Sequence, residues 1–115
     1  MANAKVTLSK PIELAGKRLT EVELKEPNGG LYVRIGDPRT LVFNASGSGY
    51  YVPQQEAIKA YFEELIVHDL GGDLLNFLSL EDTKALQEIL LLFFSDADAR
   101  VAARKLTPSS SASAS

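Results

Sequence analysis

The hydrophobic periodicity of the chain changes at Pro53, and this change limits the fold more than any other feature. Before Pro53, in residues 5–52, apolar and polar residues alternate with the period of two that is typical of strands with one buried face. After Pro53 the apolar residues follow the period of an amphipathic helix, at Ile58, Tyr61, Phe62, Leu65 and Ile66. The order of strands first and helices second predicts an α+β fold. We expect a small N-terminal antiparallel β-sheet made of hairpins, followed by a C-terminal bundle of three to four helices.

The first hairpin is predicted in residues 5–24, where two extended segments meet at a turn over residues 15–17. The alternating apolar positions are Val6, Leu8, Ile12, Leu14, Val22 and Leu24. Pro11 lacks an N–H for a strand ladder, so it marks a bulge or an edge position. The apolar spacing in the second segment also breaks near Thr20, where a bulge would restore it.

Three further segments are rich in strand-forming residues, namely 31–35, 40–43 and 50–52. A Pro-Asn-Gly-Gly turn precedes the first of them, and a glycine-rich loop precedes the last. Together with the first hairpin, these segments predict a single antiparallel sheet of four or five strands.

The helical half begins with a helix over 54–70, which has Pro53 at its first turn and a glycine pair at its end. A short helix follows over 73–78, and Ser79 caps a helix over 80–94. Ser95 repeats the capping pattern and predicts a separate last helix that ends before Pro108. The apolar side of the helix over 80–94 is predicted at Leu86, Ile89, Leu90 and Phe93.

A chain of 115 residues is long enough for one hydrophobic core. We therefore expect one α+β domain over 1–107, with a sheet part at 5–52 and a helical part at 53–107. Residues 108–115 are almost entirely Ser and Ala, a composition typical of a disordered tail.

The distribution of charge disfavours nucleic acid as a partner. Residues 1–52 contain seven basic and five acidic residues, whereas residues 53–115 contain five basic and ten acidic residues. Nucleic-acid binding needs clustered basic side chains, and an acidic half repels phosphate. The longest apolar run, 89–94, is too short to span a bilayer, and the first ten residues lack the apolar segment of a signal peptide. We expect a cytoplasmic protein without a membrane partner.

The residues with chemical reactivity do not form a catalytic set. The chain has no cysteine and one histidine, His68, whereas zinc sites and hydrolase triads need several converging groups. His68 follows Glu64 by four residues, which fits a helix-surface ion pair or a C-terminal cap. The glycine loops lack the spacing of nucleotide-binding motifs. We predict that the protein is not an enzyme and has no cofactor or metal.

The apolar run at 89–94 covers every side of a helix, so one buried face does not account for it. Either this helix is sandwiched between the sheet and the helix over 54–70, or part of it faces a partner or a second copy of the chain. In the second case the candidate partner-binding residues, with those of a second apolar cluster, are Leu74, Leu75, Phe77, Leu91, Leu92 and Phe94.

Several short motifs follow one another in the N-terminal half: a short strand, Lys-Pro-Ile at 10–12, a turn at Gly16, a Thr-Glu-Val strand at 20–24 and Glu-Pro-Asn-Gly at 26–29. This order resembles the opening of the small tail assembly chaperones of contractile-tailed, Mu-like bacteriophages. The similarity continues through 49–50, 66–71 and the apolar helix near Ile89, and so covers nearly all of residues 5–95. Asn28 stands where the family often has Thr, and the turn tolerates this exchange.

The resemblance implies a non-enzymatic chaperone that keeps the long tape measure protein soluble while the tail is built. It also implies recruitment of tail tube subunits, sometimes through a longer product of translational frameshifting, and absence from the mature virion. The alternative is a small structural virion or baseplate protein that oligomerises and remains in the particle.

Overall fold

The computed structural model describes residues 3–104, and its architecture confirms the α+β class. Two antiparallel hairpins lie in the N-terminal half, and a long helix ends the described chain. The elements in chain order are β1 (Ala4–Leu14), β2 (Lys17–Leu24), α1 (Gly29–Ile35), β3 (Arg39–Phe43), β4 (Gly49–Pro53), α2 (Gln55–Leu65), a 3₁₀ helix (Gly71–Phe77) and α3 (Leu80–Ala103). The predicted disordered tail lies outside the described residues.

The first hairpin forms as predicted from the alternation. Its tight turn has Ala15 and Gly16 at positive φ, between the paired residues Leu14 and Lys17. The pairing is irregular between Thr7 and Ile12, where β1 has four residues opposite the single residue Thr20 of β2. The extra residues therefore lie on β1 next to Pro11, which confirms Pro11 as the mark of the bulge.

The prediction of one sheet of four or five strands is wrong. Strand β3 pairs with β4, and this second hairpin forms a two-stranded sheet separate from β1 and β2. Its base is closed by Gln54, whose N–H donates to the Pro38 carbonyl at 2.7 Å. At its other end, the Asn44 side chain accepts hydrogen bonds from the N–H groups of Ser46 and Ser48.

The predicted strand at 31–35 is instead helix α1. The Asn28 side chain accepts a hydrogen bond from the Leu31 N–H at 2.9 Å and so caps the helix. Leu31 and Ile35, which are four residues apart, both pack against the core. An extended segment would place Val33 on the same face as these two residues, whereas in the helix Val33 is 84% exposed.

Helix α2 buries the predicted apolar stripe completely, and every residue of that stripe is at most 5% exposed. The helix is shorter than the predicted span of 54–70. Pro53 is the last residue of β4, and the helix runs from Gln55 to Leu65. Beyond it, Ile66 bridges to Leu24, and the Val67 N–H donates to the Glu23 carbonyl at 3.0 Å. The end of α2 is thereby joined to β2 through the backbone.

Helix α3 is continuous, so the predicted break at Ser95 is wrong. The Ser95 hydroxyl donates back to the Leu92 carbonyl at 3.3 Å instead of capping a new helix. The predicted cap at Ser79 is confirmed, since its hydroxyl accepts from the Asp82 N–H at 3.1 Å. The predicted short helix over 73–78 is a 3₁₀ helix that begins at Gly71.

The core lies where the first hairpin, α2, the 3₁₀ helix and α3 meet. On α3 the fully buried positions are Asp82, Leu86, Leu90 and Phe94, one turn apart, whereas Ile89 and Phe93 are half-buried. Asp82 is buried because its carboxylate accepts hydrogen bonds from the N–H groups of Ser9 and Lys10 at 2.9 Å and 3.5 Å. These bonds hold the β1 bulge against the first turn of α3.

Candidate protein-binding grooves

A groove of about 350 Å³ lies between the second hairpin and α3. We call it the hairpin groove, and its lining residues are Arg39, Tyr51, Glu88, Leu91, Leu92 and Ser95. Leu92 is 52% exposed and Tyr51 is 53% exposed. The groove therefore presents an apolar helix surface beside an aromatic ring of the hairpin.

The hairpin extends this groove with a row of exposed apolar side chains. Leu41 pairs with Tyr51 and Phe43 pairs with Gly49, so these residues share one face of the hairpin. Phe43 is 64% exposed and Leu41 is 48% exposed. Both side chains lie over Gly49, where an added Cβ would be 3.0 Å from Phe43 Cε1. The absence of a side chain at Gly49 leaves the space that these two side chains occupy.

Arg39 holds the base of the hairpin against α3. Its side chain is only 6% exposed, and its guanidinium bonds to both Asp37 oxygens, at 3.0 Å from Nε and 3.1 Å from Nη2. The same Nη2 donates to Asp98 Oδ2 on α3 at 2.9 Å. The guanidinium also lies over the Tyr51 ring, 4.4 Å from its centroid. A buried cation with two carboxylate partners and an aromatic partner fixes the hairpin orientation at its root.

These contacts also shift the pKa values of the paired groups. Partial burial acts to raise the pKa of Asp37, but the hydrogen bonds and charge of Arg39 outweigh it and lower that pKa overall. The hydrogen bonds to Asp37, together with Asp98, raise the pKa of Arg39 further above its usual range, although burial opposes this. The pair is therefore ionised at neutral pH.

A second groove of about 280 Å³ lies between α1 and the C-terminal half of α3. We call it the acidic groove. Its apolar lining comes mainly from Tyr32, Phe93, Ala97 and Val101, and its carboxylates are Glu26, Asp37 and Asp98. The hairpin groove and the acidic groove use different sides of α3 and are separated by the Arg39–Asp98 ion pair.

The structure separates the six predicted partner-binding residues into three groups. Leu74 and Phe94 are buried in the core, at 0% and 8% exposure, so Leu74 presents no surface to a partner, whereas Phe94 also lines the acidic groove. Leu75 and Leu91 are half-buried, and Leu91 lines the hairpin groove. Phe77 and Leu92 are each about half exposed, as that prediction requires. Of the six residues, the hairpin groove brings together only Leu91 and Leu92.

The partner-binding residues predicted from the sequence do not include those of the second hairpin, Leu41, Phe43 and Tyr51. In the predicted sheet of four or five strands, Leu41 and Phe43 belong to a strand that has one face covered by the core. The available signal was the alternation of Leu41 and Phe43 together with Tyr51 after a short loop, which places three large side chains on one face of a two-stranded hairpin.

His68 lies three residues beyond the end of α2 and forms neither the ion pair with Glu64 nor the C-terminal cap that were the two predicted alternatives. Its Nδ1 accepts a hydrogen bond from the Leu70 N–H at 3.1 Å, and Glu64 instead lies 3.6 Å from Arg34. Within residues 3–104, no group of three acidic, His or Cys side chains is arranged to hold a metal ion. None of the helices in this part of the chain has both the length and the apolar composition needed to cross a bilayer.

Comparison of the chain with protein-family models, with curated proteins and with solved structures gives no match.

Proposed function

We propose that the protein is a non-enzymatic phage tail assembly chaperone that binds the tape measure protein and keeps it soluble while the tail is built. The resemblance to that family, which covers nearly all of residues 5–95, suggests the biological role. It also suggests that the chaperone recruits tail tube subunits, acts in the host cytoplasm and is absent from the finished particle. The geometry of the hairpin groove supports client binding on independent physical grounds.

The observation that carries the proposal is the exposed apolar face of the second hairpin. Isolated two-stranded hairpins are marginally stable in water, and exposed apolar patches usually mark interaction surfaces. Here Leu41, Phe43 and Tyr51 point to one side, and Leu92 continues the same apolar surface on α3. A chaperone needs such a surface, because it must cover apolar side chains that its client would otherwise expose.

Capture would use a client segment with apolar side chains on one face. Seated in the hairpin groove, such a segment would bury Leu91 and Leu92 on one side and Tyr51 on the other. Arg39 supports the groove but does not itself bind the client, because its guanidinium is already bonded to Asp37 and Asp98. Affinity would come from apolar burial, and the fixed root of the hairpin reduces the ordering cost of binding.

The second candidate is a structural virion or baseplate protein. It is favoured by the two-stranded sheet of β3 and β4, whose outer edges are unpaired within residues 3–104. Unpaired edges allow strand addition by a second copy of the chain. The two candidates differ in the composition of the particle, since a structural protein remains in purified virions and a chaperone does not.

The proposal is tested by an aggregation assay with the tape measure protein encoded in the same genome. The client is diluted from denaturant into buffer with or without the chaperone, and light scattering is followed. The wild-type protein should suppress scattering at stoichiometric amounts. The double variant Phe43→Ser with Leu92→Ser should lose most of this effect, because it removes apolar surface from the exposed face of the hairpin and from the α3 side of the hairpin groove.

The matched control is Leu80→Ser, which removes an apolar side chain that is 73% exposed and does not line either groove. Substitutions at exposed positions change stability by only about 0.5 kcal/mol, so all variants should remain folded by circular dichroism. Undiminished suppression by the folded double variant would refute the assignment of the hairpin groove.

A further inference from the structure

We infer that the acidic groove is a second protein-binding site, specific for an amphipathic helix that has lysine or arginine beside its apolar stripe. The inference goes beyond the proposed function, because it uses a different side of α3 and stands whether or not the hairpin groove binds a client.

The apolar part of the acidic groove has the form that accepts a helix. Phe93, Ala97 and Val101 follow one another at intervals of four residues, so they form one stripe along α3. Tyr32 of α1 faces this stripe across the groove and is 49% exposed, and Val101 is 48% exposed. The small side chain of Ala97 in the centre of the stripe allows close approach. A volume of about 280 Å³ suits apolar side chains of a docked helix better than a whole small molecule.

The charges around the groove determine which sign of charge the partner must have. Three carboxylates line it, and only Arg39 and Arg100 lie within ion-pair distance of them in the described part of the chain. Arg39 is buried and bonded to Asp37, whereas Arg100 is 62% exposed and 3.8 Å from Glu26, which makes a weak and replaceable pair. The Asp98 side chain is 57% exposed, and Arg39 bonds to only its Oδ2 atom.

A cation beside the groove is therefore attracted, and an anion is repelled. The remaining negative charge is adjacent to the apolar stripe, so a helix with a lysine or arginine next to its apolar face satisfies both features together. A purely apolar helix would bury part of the Glu26 and Asp98 side chains with no new partner beyond the Arg100 and Arg39 contacts, which costs free energy. The chemistry of the site thus specifies a basic amphipathic helix as the occupant.

The test uses two synthetic helical peptides labelled with fluorescein and identical in their apolar stripe. One has lysine at the flanking positions and the other has glutamate. Binding to the full chain is measured by fluorescence anisotropy at low and high salt. The lysine peptide should bind at least roughly tenfold more tightly at low salt, and the difference should shrink at high salt as the charges are screened.

Two variants locate the site. Ala97→Phe fills the groove, and Val101→Lys places a positive charge on the stripe at a half-exposed position, so at least one of them should remain folded. Each should weaken the lysine peptide at least tenfold, whereas Leu92→Ser in the hairpin groove should leave its affinity unchanged. Equal binding of the two peptides, loss of binding only in Leu92→Ser, or no binding of the lysine peptide at about 1 mM would each overturn the inference.

Discussion

The Arg39 guanidinium donates a hydrogen bond to the Asp98 carboxylate at 2.9 Å, which joins the base of β3 to the C-terminal half of α3. Arg39 lines the hairpin groove and Asp98 lines the acidic groove. One ion pair therefore forms the boundary between the two candidate binding surfaces. A change in this pair should affect the shape of both grooves, whereas changes within either groove can be made separately.

Removal of the Arg39 side chain should strongly destabilise the protein. Arg39→Ala leaves the partly buried Asp37 carboxylate without its bidentate partner and removes the cation over Tyr51. We expect a loss of about 3 kcal/mol in the free energy of unfolding, measured by urea denaturation. The control Arg34→Ala breaks an exposed pair with Glu64 and should cost at most about 1 kcal/mol. Similar losses in the two variants would contradict the role of Arg39.

The hydrogen bonds from β1 to Asp82 should make stability sensitive to acid. The backbone N–H of Ser9 is the main cause of the lowered pKa of Asp82, so its ionised form stabilises the fold above the ordinary value of 3.8 and this contribution is lost below it. Asp82→Asn should cost roughly 1–2 kcal/mol at pH 7. Urea midpoints should differ between the wild type and this variant at pH 7 and converge towards pH 3. A difference that is constant with pH would show that the charge of Asp82 contributes nothing.

Tyr61 should produce a loss of stability at alkaline pH. Its side chain is fully buried and its hydroxyl donates to the Gly36 carbonyl at 2.7 Å, and burial raises the pKa of Tyr61 to about 12 from 10.0. Because the folded pKa is raised, this contribution is complete below pH 10 and is lost as the pH rises towards 12. Tyr61→Phe should cost about 1 kcal/mol at neutral pH and lack this alkaline component. Tyr50→Phe, at a half-exposed position, is the control, and identical alkaline unfolding of wild type and Tyr61→Phe would refute the prediction.

A methyl group at position 49 should disturb the hairpin face without unfolding the protein. In Gly49→Ala the new Cβ would be 3.0 Å from Phe43 Cε1 and 3.2 Å from Leu41 Cδ1. Both side chains are exposed enough to move, so stability should change by less than about 1 kcal/mol. Suppression of client aggregation should decrease, because the two side chains no longer occupy their positions. Thr40→Ala, on the opposite face of the hairpin, should suppress aggregation normally, and normal suppression by Gly49→Ala would argue against this face.

The stripe of α2, the first hairpin and the short strands at 40–43 and 50–52 were predicted correctly, whereas the strand at 31–35 and the helix break at Ser95 were not. The stripe of α2 spans more than two turns, so its pattern fits only a helix, and all its residues are buried. By composition, residues 31–35 fit a short helix and a short strand equally well. The Asn28 cap favours α1, and so does the exposure of Val33, which a strand would place on the same face as Leu31 and Ile35. Which of these side chains is buried depends on neighbours that are distant in sequence.

The candidate site was only partly predictable for a related reason. The choice of buried face on α3 depends on Asp82, which is drawn inward by the N–H groups of the β1 bulge. This rotation places Phe94 in the core, 5.2 Å from the Tyr61 ring between centroids, and leaves Leu92 exposed. Hydrophobicity alone does not distinguish Phe94 from Leu92. The exposed hairpin face was missed because two separate sheets formed in place of one.

The most direct test of the proposed chaperone role is co-expression with the tape measure protein from the same genome, followed by size-exclusion chromatography of the soluble fraction. We predict that the tape measure protein becomes soluble and co-elutes with the wild-type chain and with Leu80→Ser. It should not do so with the double variant Phe43→Ser, Leu92→Ser. A tape measure protein that stays insoluble while the wild-type chain elutes alone as a defined oligomer would contradict the chaperone role and favour a structural protein.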